Sequence, residues 1–308
     1  MGLKGKLIAE KEIKCHGDVF HELFRHKPHD ISNITPHHYH GCDVHHDHAG
    51  VVGSTRTREY THDGKKKSMK IVLEEIDEEK KLLKFKAVEG DILELYKEYS
   101  VSIHVDTEGD VHVVIWTIDY VKAAEDVVDP VSYLQLAINI IQGIEDHHAN
   151  AEKKKKKGMG LKGKLVAEKE IRCHGDIFHD LFKHKPHEIS KITPDHVHSC
   201  DVHEGQFGTV GSVLSWDFTN DGKKESLKVV IGEIDEEKKL VKFNVAEGEI
   251  LEKYKEFVSA IHVDTKGDDH VVTWTLQYEK VREDVPDPIS YLELAINIIK
   301  DIEAHHAT

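Results

Sequence analysis

Two tandem α+β domains of one type are expected from this chain, on three observations. The sequence repeats itself once from end to end. Each copy holds a run of short, strand-like segments punctuated by turn residues. Each copy closes on one long helix with a broad apolar stripe. The repeat is plain: Met1-Gly2-Leu3-Lys4-Gly5-Lys6-Leu7 returns as Met159-Gly160-Leu161-Lys162-Gly163-Lys164-Leu165. The match then runs without a gap to His147-His148-Ala149 against His305-His306-Ala307. About two-thirds of the first copy is identical in the second, over a period far too long for a solenoid unit. The domains are accordingly placed at residues 1–150 and 159–308. Residues 151–158 form a linker in which Lys153 to Lys157 repel one another and stay solvated; a polybasic surface anchor is the alternative reading.

In the first copy, Leu3 to Cys15 alternates and reads as a strand. Val19, Phe20, Leu23 and Phe24 fall at helical spacing, so Gly17 to His26 reads as a short helix. Pro28 opens a second short helix, which Pro36 bounds. Asp63-Gly64, Asp77 to Lys80 and Glu108-Gly109 separate the strands that follow, and Asp221-Gly222, Asp235 to Lys238 and Lys266-Gly267 repeat these signals. Successive hairpins imply an antiparallel meander. Asp129-Pro130 offers an N-cap and an N1 proline to the last helix. Along it Leu134, Ala137, Ile138, Ile141 and Ile144 recur at helical spacing, widened by Leu136 and Ile140. Asp287-Pro288 with Leu292, Ala295, Ile296 and Ile299 does the same in the second copy. One such helix must lie on the concave face of the sheet, and it need not fill the space beneath it.

The 308 residues are enough for two ordinary cores. A net charge of −15 argues against a nucleic-acid partner and against an anionic membrane surface. No apolar run approaches the roughly 18 residues of a membrane span. No apolar stretch of the leader type follows Lys4 and Lys6, so a cytoplasmic location is expected. Lys6 also stands where a myristoylation signal after Met1-Gly2 would need Ser or Thr. Cys15, Cys42, Cys173 and Cys200 form no CxxC pair and read as reduced thiols.

The second copy carries His203-Glu204-Gly205-Gln206-Phe207-Gly208-Thr209-Val210-Gly211-Ser212, then Trp216-Asp217-Phe218-Thr219-Asn220-Asp221-Gly222-Lys223. Glu247-Gly248-Glu249-Ile250-Leu251 and Trp274-Thr275-Leu276-Gln277-Tyr278-Glu279 follow. These motifs resemble the major latex protein branch of the Bet v 1-like, birch-pollen-allergen superfamily, over essentially both copies. The resemblance implies a helix-grip fold, in which a curved seven-stranded antiparallel sheet wraps a long C-terminal helix, with two short helices at one end. It implies an internal cavity for small apolar plant metabolites and a link to defence or stress. No cofactor is expected. Two-domain members belong to that family, and a few relatives are enzymes of alkaloid or terpenoid biosynthesis.

Strand alternation assigns the faces. Val210, Leu214, Trp216 and Phe218 share one with Ser212, while Thr209, Gly211, Ser215 and Asp217 take the other. Leu227, Val229, Ile231, Val241, Phe243, Trp274 and, on the helix, Ile296 join the inward set. In the first copy Tyr60, Met69, Phe85, Trp116 and Ile138 stand at equivalent positions, with Val52 and Ser54 matching further up the strand. Filled core is the alternative reading for all of them. Arg56 and Arg58 replace Leu214 and Trp216, and buried guanidiniums demand partners. A first cavity that takes an anionic or polar ligand, or is partly closed, would follow; a bulge turning both arginines to solvent is the alternative.

Among 26 histidines, His37, His38, His40, His45, His46 and His48 cluster, and strand alternation would put His38, His40 and Cys42 on one face. The second copy keeps only His196, His198, Cys200 and His203, and no metal is expected. The glycines of Gly205 to Gly211, reduced to Gly50 and Gly53 in the first copy, read as a hairpin loop and not a nucleotide cradle. Relatives that condense amines with aldehydes use a lysine on the strand before the last helix. Val111 to Tyr120 and Asp269 to Tyr278 contain none, and Lys122 and Lys280 lie just beyond. No Ser/His/Asp order, HExxH or nucleotide loop occurs, so no catalytic residue is assigned. Binding and carriage of a small hydrophobic ligand is the expected function, with an isomerase- or cyclase-type enzyme as the alternative. Ribonuclease activity fits the acidic charge poorly. Oligomeric state is left open.

Overall fold

The computed structural model describes residues 3–45, 50–109, 111–152, 161–266 and 269–306. Contacts divide the chain into two compact units, one formed by Lys6–Gly160 and the other carrying Leu161–Thr308. The first unit runs β1 (Lys4–Ile13), α1 (Asp18–Arg25), α2 (Pro28–Ile34), β2 (Tyr39–His45), β3 (Thr55–His62), β4 (Lys65–Asp77) and β5 (Leu82–Gly90). It continues with α3 (Ile92–Leu95), β6 (Tyr96–Glu108), β7 (Val111–Lys122) and α4 (Val131–Glu152). The second runs β8 (Lys162–Ile171), α5 (Asp176–His184), α6 (Pro186–Ile192), β9 (Val197–Glu204), β10 (Val213–Asn220), β11 (Lys223–Asp235) and β12 (Leu240–Gly248). A 3-10 turn (Glu249–Glu252), β13 (Tyr254–Lys266), β14 (Asp269–Lys280) and α7 (Ile289–His306) complete it.

Each unit builds the expected seven-stranded sheet. In the first, β2 to β7 pair in sequence order and β1 joins the far side of β7. The second repeats this, with β8 antiparallel to β14. Asp63 and Gly64 both take positive φ, 50° and 71°, as the two-residue turn between β3 and β4 requires, and Asp221 and Gly222 repeat it. Register shifts interrupt the β4–β5 and β11–β12 ladders at equivalent places. Such bulges bend a sheet, and these help make it concave. The long helix lies across that concave face; in the second unit α7 packs on β8 and β14. Leu134, Ile138, Ile141 and Ile144 are fully buried beneath α4. Each of these side chains contributes about 1.5–3 kcal/mol by leaving water.

Three details differ from the sequence reading. Asp129 and Asp287 do not cap the last helices, which begin two residues later at Val131 and Ile289. Their carboxylates instead accept the hydroxyls of Tyr120 and Tyr278. The one-turn helices after β5 and β12 carry no periodicity that a pattern search could find, being four residues each. Helix α4 extends to Glu152, into the stretch read as a linker. Lys153 to Gly158, Met159, Gly267, His46 and His48 lie outside the described residues.

Candidate functional site

Between sheet and helix each unit encloses an internal cavity. In the second it measures about 120 Å³. The strands contribute Trp216, Phe218, Leu227, Phe243 and Trp274, all from the inward set. Helix α7 contributes Tyr291, Leu294, Ala295 and Ile298. Two of the polar atoms at this wall are satisfied by the protein. Trp274 Nε1 donates to Ser259 Oγ at 2.8 Å, and the Tyr291 hydroxyl donates to Glu225 Oε2 at 2.5 Å.

The first unit's cavity is smaller, about 50 Å³. Arg58, Met69, Phe85 and Trp116 line it as the alternation implies, joined by Phe24 of α1, Tyr39 of β2 and Tyr99 of β6. The β3–β4 register is unbroken from Thr55 to His62, so no bulge turns the arginines outward, and both are buried. They do different things. Arg56 does not line the cavity. Its Nη1 donates to the Phe24 carbonyl and its Nη2 to the Arg25 carbonyl at 2.8 Å, so it satisfies the C-terminal end of α1. Burial, with Arg58 beside it, pushes its pKa down to about 10, and it stays charged at neutral pH. Arg58 Cζ lies 5.2 Å from the Tyr39 ring centroid, 5.6 Å from Phe24 and 5.9 Å from Phe85, within a wall of aromatic faces.

Several other residues expected at the cavity are elsewhere. Val210 is 54% exposed, and Val52 is likewise exposed, because both precede their strands and sit in the glycine loop, where alternation has no meaning. That loop is the hairpin connection its glycines imply: Gly208 and Gly211, like Gly50 and Gly53, take positive φ. Leu214 is buried but off the cavity, at the register position that Arg56 holds in the first unit. Tyr60 is buried outside the smaller cavity, its ring 6.3 Å from that of Tyr133. Ile138 and Ile296 are buried on another face of their helices. They share that face with Glu145 and Glu303, whose carboxylates accept the Lys14 and Arg172 amides just past β1 and β8. Residues facing the cavity are offset by one or two positions: Tyr133, Leu136, Ala137 and Ile140 in α4.

The pattern that defines the family described as "Pathogenesis-related protein Bet v 1 family" matches residues 2–151 and again residues 160–307. The chain belongs to the Bet v 1 family. MLP-like protein 34 of Arabidopsis thaliana is 38% identical over 307 residues, spanning 98% of this chain and 96% of that protein. MLP-like protein 28 of the same plant is 35% identical over 309 residues, spanning 98% and 92%. Crystalline ginseng major latex-like protein 151 from Panax ginseng aligns at 48% identity with 48% of this chain and all of its own, at a TM-score of 0.48. The chain is thus a tandem pair of Bet v 1 domains, each with the family's ligand-binding, helix-grip scaffold.

Among the described residues of these Bet v 1 units, His38, His40 and Cys42 do not come together on one face. A register shift between Tyr39 and Gly41 breaks the period of two, leaving His40 exposed while Cys42 is buried. No group of three or more His, Cys, Asp or Glu side chains is placed to hold a metal among the described residues. Among the same residues no helix is long and apolar enough to cross a membrane. Lys122 and Lys280 end β7 and β14, buried and away from both cavity walls; Lys280 Nζ sits 3.2 Å from Asp287 Oδ2.

One histidine does bear on the first cavity. His62 stacks on Tyr133, centroids 3.8 Å apart, and its Nε2 meets the Ser132 hydroxyl at 2.8 Å. Burial holds its pKa below the ordinary imidazole value, Asp63 opposing and Lys67 assisting. The folded state therefore binds the proton more weakly than the unfolded chain does. Stability is complete above the ordinary value near 6.5 and is lost as pH falls below it. Asn220 holds this place in the second unit. His62→Asn should remove part of the first unit's acid sensitivity, read as a smaller drop in its urea midpoint between about pH 7.5 and 5.5.

Proposed function

We propose that the chain binds and carries small, mainly apolar plant metabolites, one in each unit, in the cytoplasm and in the service of defence or stress responses. The second cavity carries this reading. Its wall is built of aliphatic and aromatic side chains, and two of the polar groups at that wall, Trp274 Nε1 and the Tyr291 hydroxyl, are already bonded within the protein. Transfer of an apolar molecule into such a wall gains its burial and strips no unpaired protein group of water. An empty apolar cavity of roughly 150 Å³ accepts one benzene ring, so the second cavity is on the scale of a single small ring or short chain before any opening. The defence role is supported by the family description and by plant relatives along the whole chain.

Native mass spectrometry of the chain purified from its own tissue tests the proposal. The expected result is a small-molecule mass excess, released unchanged on denaturation. A sample that instead turns over added candidate metabolites would replace carriage by catalysis.

A further inference from the structure

The two cavities differ in one respect that their shared ancestry hides. In the second, the Trp274 indole donates to Ser259 and the Tyr291 hydroxyl to Glu225. In the first, Val101 stands for Ser259 and Lys67 for Glu225, so both acceptors are gone. Among the described residues Trp116 Nε1 is accordingly buried without a partner, and the Tyr133 hydroxyl has no carboxylate to accept its proton. The same wall gains a charge, because Arg58 replaces Trp216, and it gains the hydroxyls of Tyr39 and Tyr99 where Val197 and Phe257 stand in the second unit. Arg58 faces the rings of Tyr39, Phe24 and Phe85, and among the described residues no carboxylate pairs with it. Donors therefore outnumber acceptors at the first cavity, since Arg58 and Trp116 only donate.

We propose that the first cavity takes a small organic acid, an apolar body with one carboxylate, and that Arg58 receives the carboxylate. Cavity binding as proposed above is the footing for this, and the charge is the addition. A carboxylate matches the planar guanidinium fork with two parallel bonds and supplies acceptors where donors are in excess. The apolar body then lies against Met69, Phe85 and Trp116. Among the described residues no cation lines the second unit's cavity, which should show no such preference.

The chain's three tryptophans make the test direct. Trp116 lines the first cavity, and Trp216 and Trp274 line the second. In the full chain carrying Trp216→Phe and Trp274→Phe, emission reports the first cavity alone; in Trp116→Phe it reports the second. Propanoate and propanamide, equal in shape, different in charge and small enough for the lesser cavity, are titrated into both. The first cavity should prefer propanoate by about tenfold or more, which is about 1.4 kcal/mol. Arg58→Met should abolish that preference, and Arg58→Lys should keep part of it. Equal affinity of the two probes for the first cavity overturns the charge inference and leaves cavity binding standing. If neither probe moves Trp116 and toluene moves neither Trp216 nor Trp274, cavity binding itself falls. The acid-to-amide ratio is measured with Arg58 in place, so the test survives a variant that fails to fold.

Discussion

Asp287→Ala should destabilise the second unit by about 3–5 kcal/mol. The Asp287 carboxylate is buried at the junction of β14 and α7, where one oxygen accepts the Tyr278 hydroxyl and the other lies 3.2 Å from Lys280 Nζ. Lys280 is 3% exposed. Removing the carboxylate takes a counter-charge at 3.2 Å from a buried ammonium and an acceptor from the Tyr278 phenol. Burial, reinforced by the Asp287 charge, already holds the Tyr278 phenol well above its usual pKa, so it stays a donor at any ordinary pH. The effect should be confined to the second unit. Urea unfolding followed by Trp216 and Trp274 in a Trp116→Phe background should shift strongly. The transition reported by Trp116 should stay near that of the parent chain. Replacing lysine and aspartate together, as Lys280→Met with Asp287→Leu, should recover most of the loss, because taking one partner from a buried pair costs more than replacing both by apolar groups. A single variant as stable as the parent would show that water reaches this junction.

How much of this was readable beforehand depended on which physical signal each feature leaves in a sequence. The duplication, the hairpin turns and the closing helix each rest on local, periodic patterns, and they appear where expected: Asp63-Gly64 makes a positive-φ turn, and Pro28 starts α2. Alternation likewise carried Trp216, Phe218, Leu227, Phe243 and Trp274 to the second cavity wall. It failed where a strand had not yet begun, at Val52 and Val210, and where a bulge reset it, between Tyr39 and Gly41. The long helix exposed a subtler limit. Its apolar stripe is wide enough to cover two faces, one over the first strand and one over the cavity. Periodicity alone cannot tell Ile296 from Ala295. The arginines show a third kind of limit. Alternation places both inside, yet only the carbonyls at the end of α1 decide that Arg56 is held by the backbone while Arg58 faces the cavity. The tertiary acceptors that separate two such neighbours leave no trace in local spacing.

Ala295→Leu should abolish ligand binding in the second unit without unfolding it. Ala295 is the smallest side chain that α7 turns to the cavity, and it sits opposite a wall that includes Phe243 and Trp274. Three added carbons would project into space the protein leaves open, and leucine suits a helix interior nearly as well as alanine. Burial of those carbons contributes about 0.8 kcal/mol each, against an overpacking cost of about 1–3 kcal/mol, so stability should change little. Affinity for a neutral probe such as toluene, read by Trp274 emission in a Trp116→Phe chain, should fall at least about tenfold. A change that fills a true cavity trades ligand for side chain at nearly constant stability, whereas the same change in a packed core forces neighbours off their rotamers. Unimpaired toluene binding would place the ligand elsewhere in the unit. A loss of several kcal/mol would mean that the interior is already full, and the binding role of this half of the chain would then lose its physical basis.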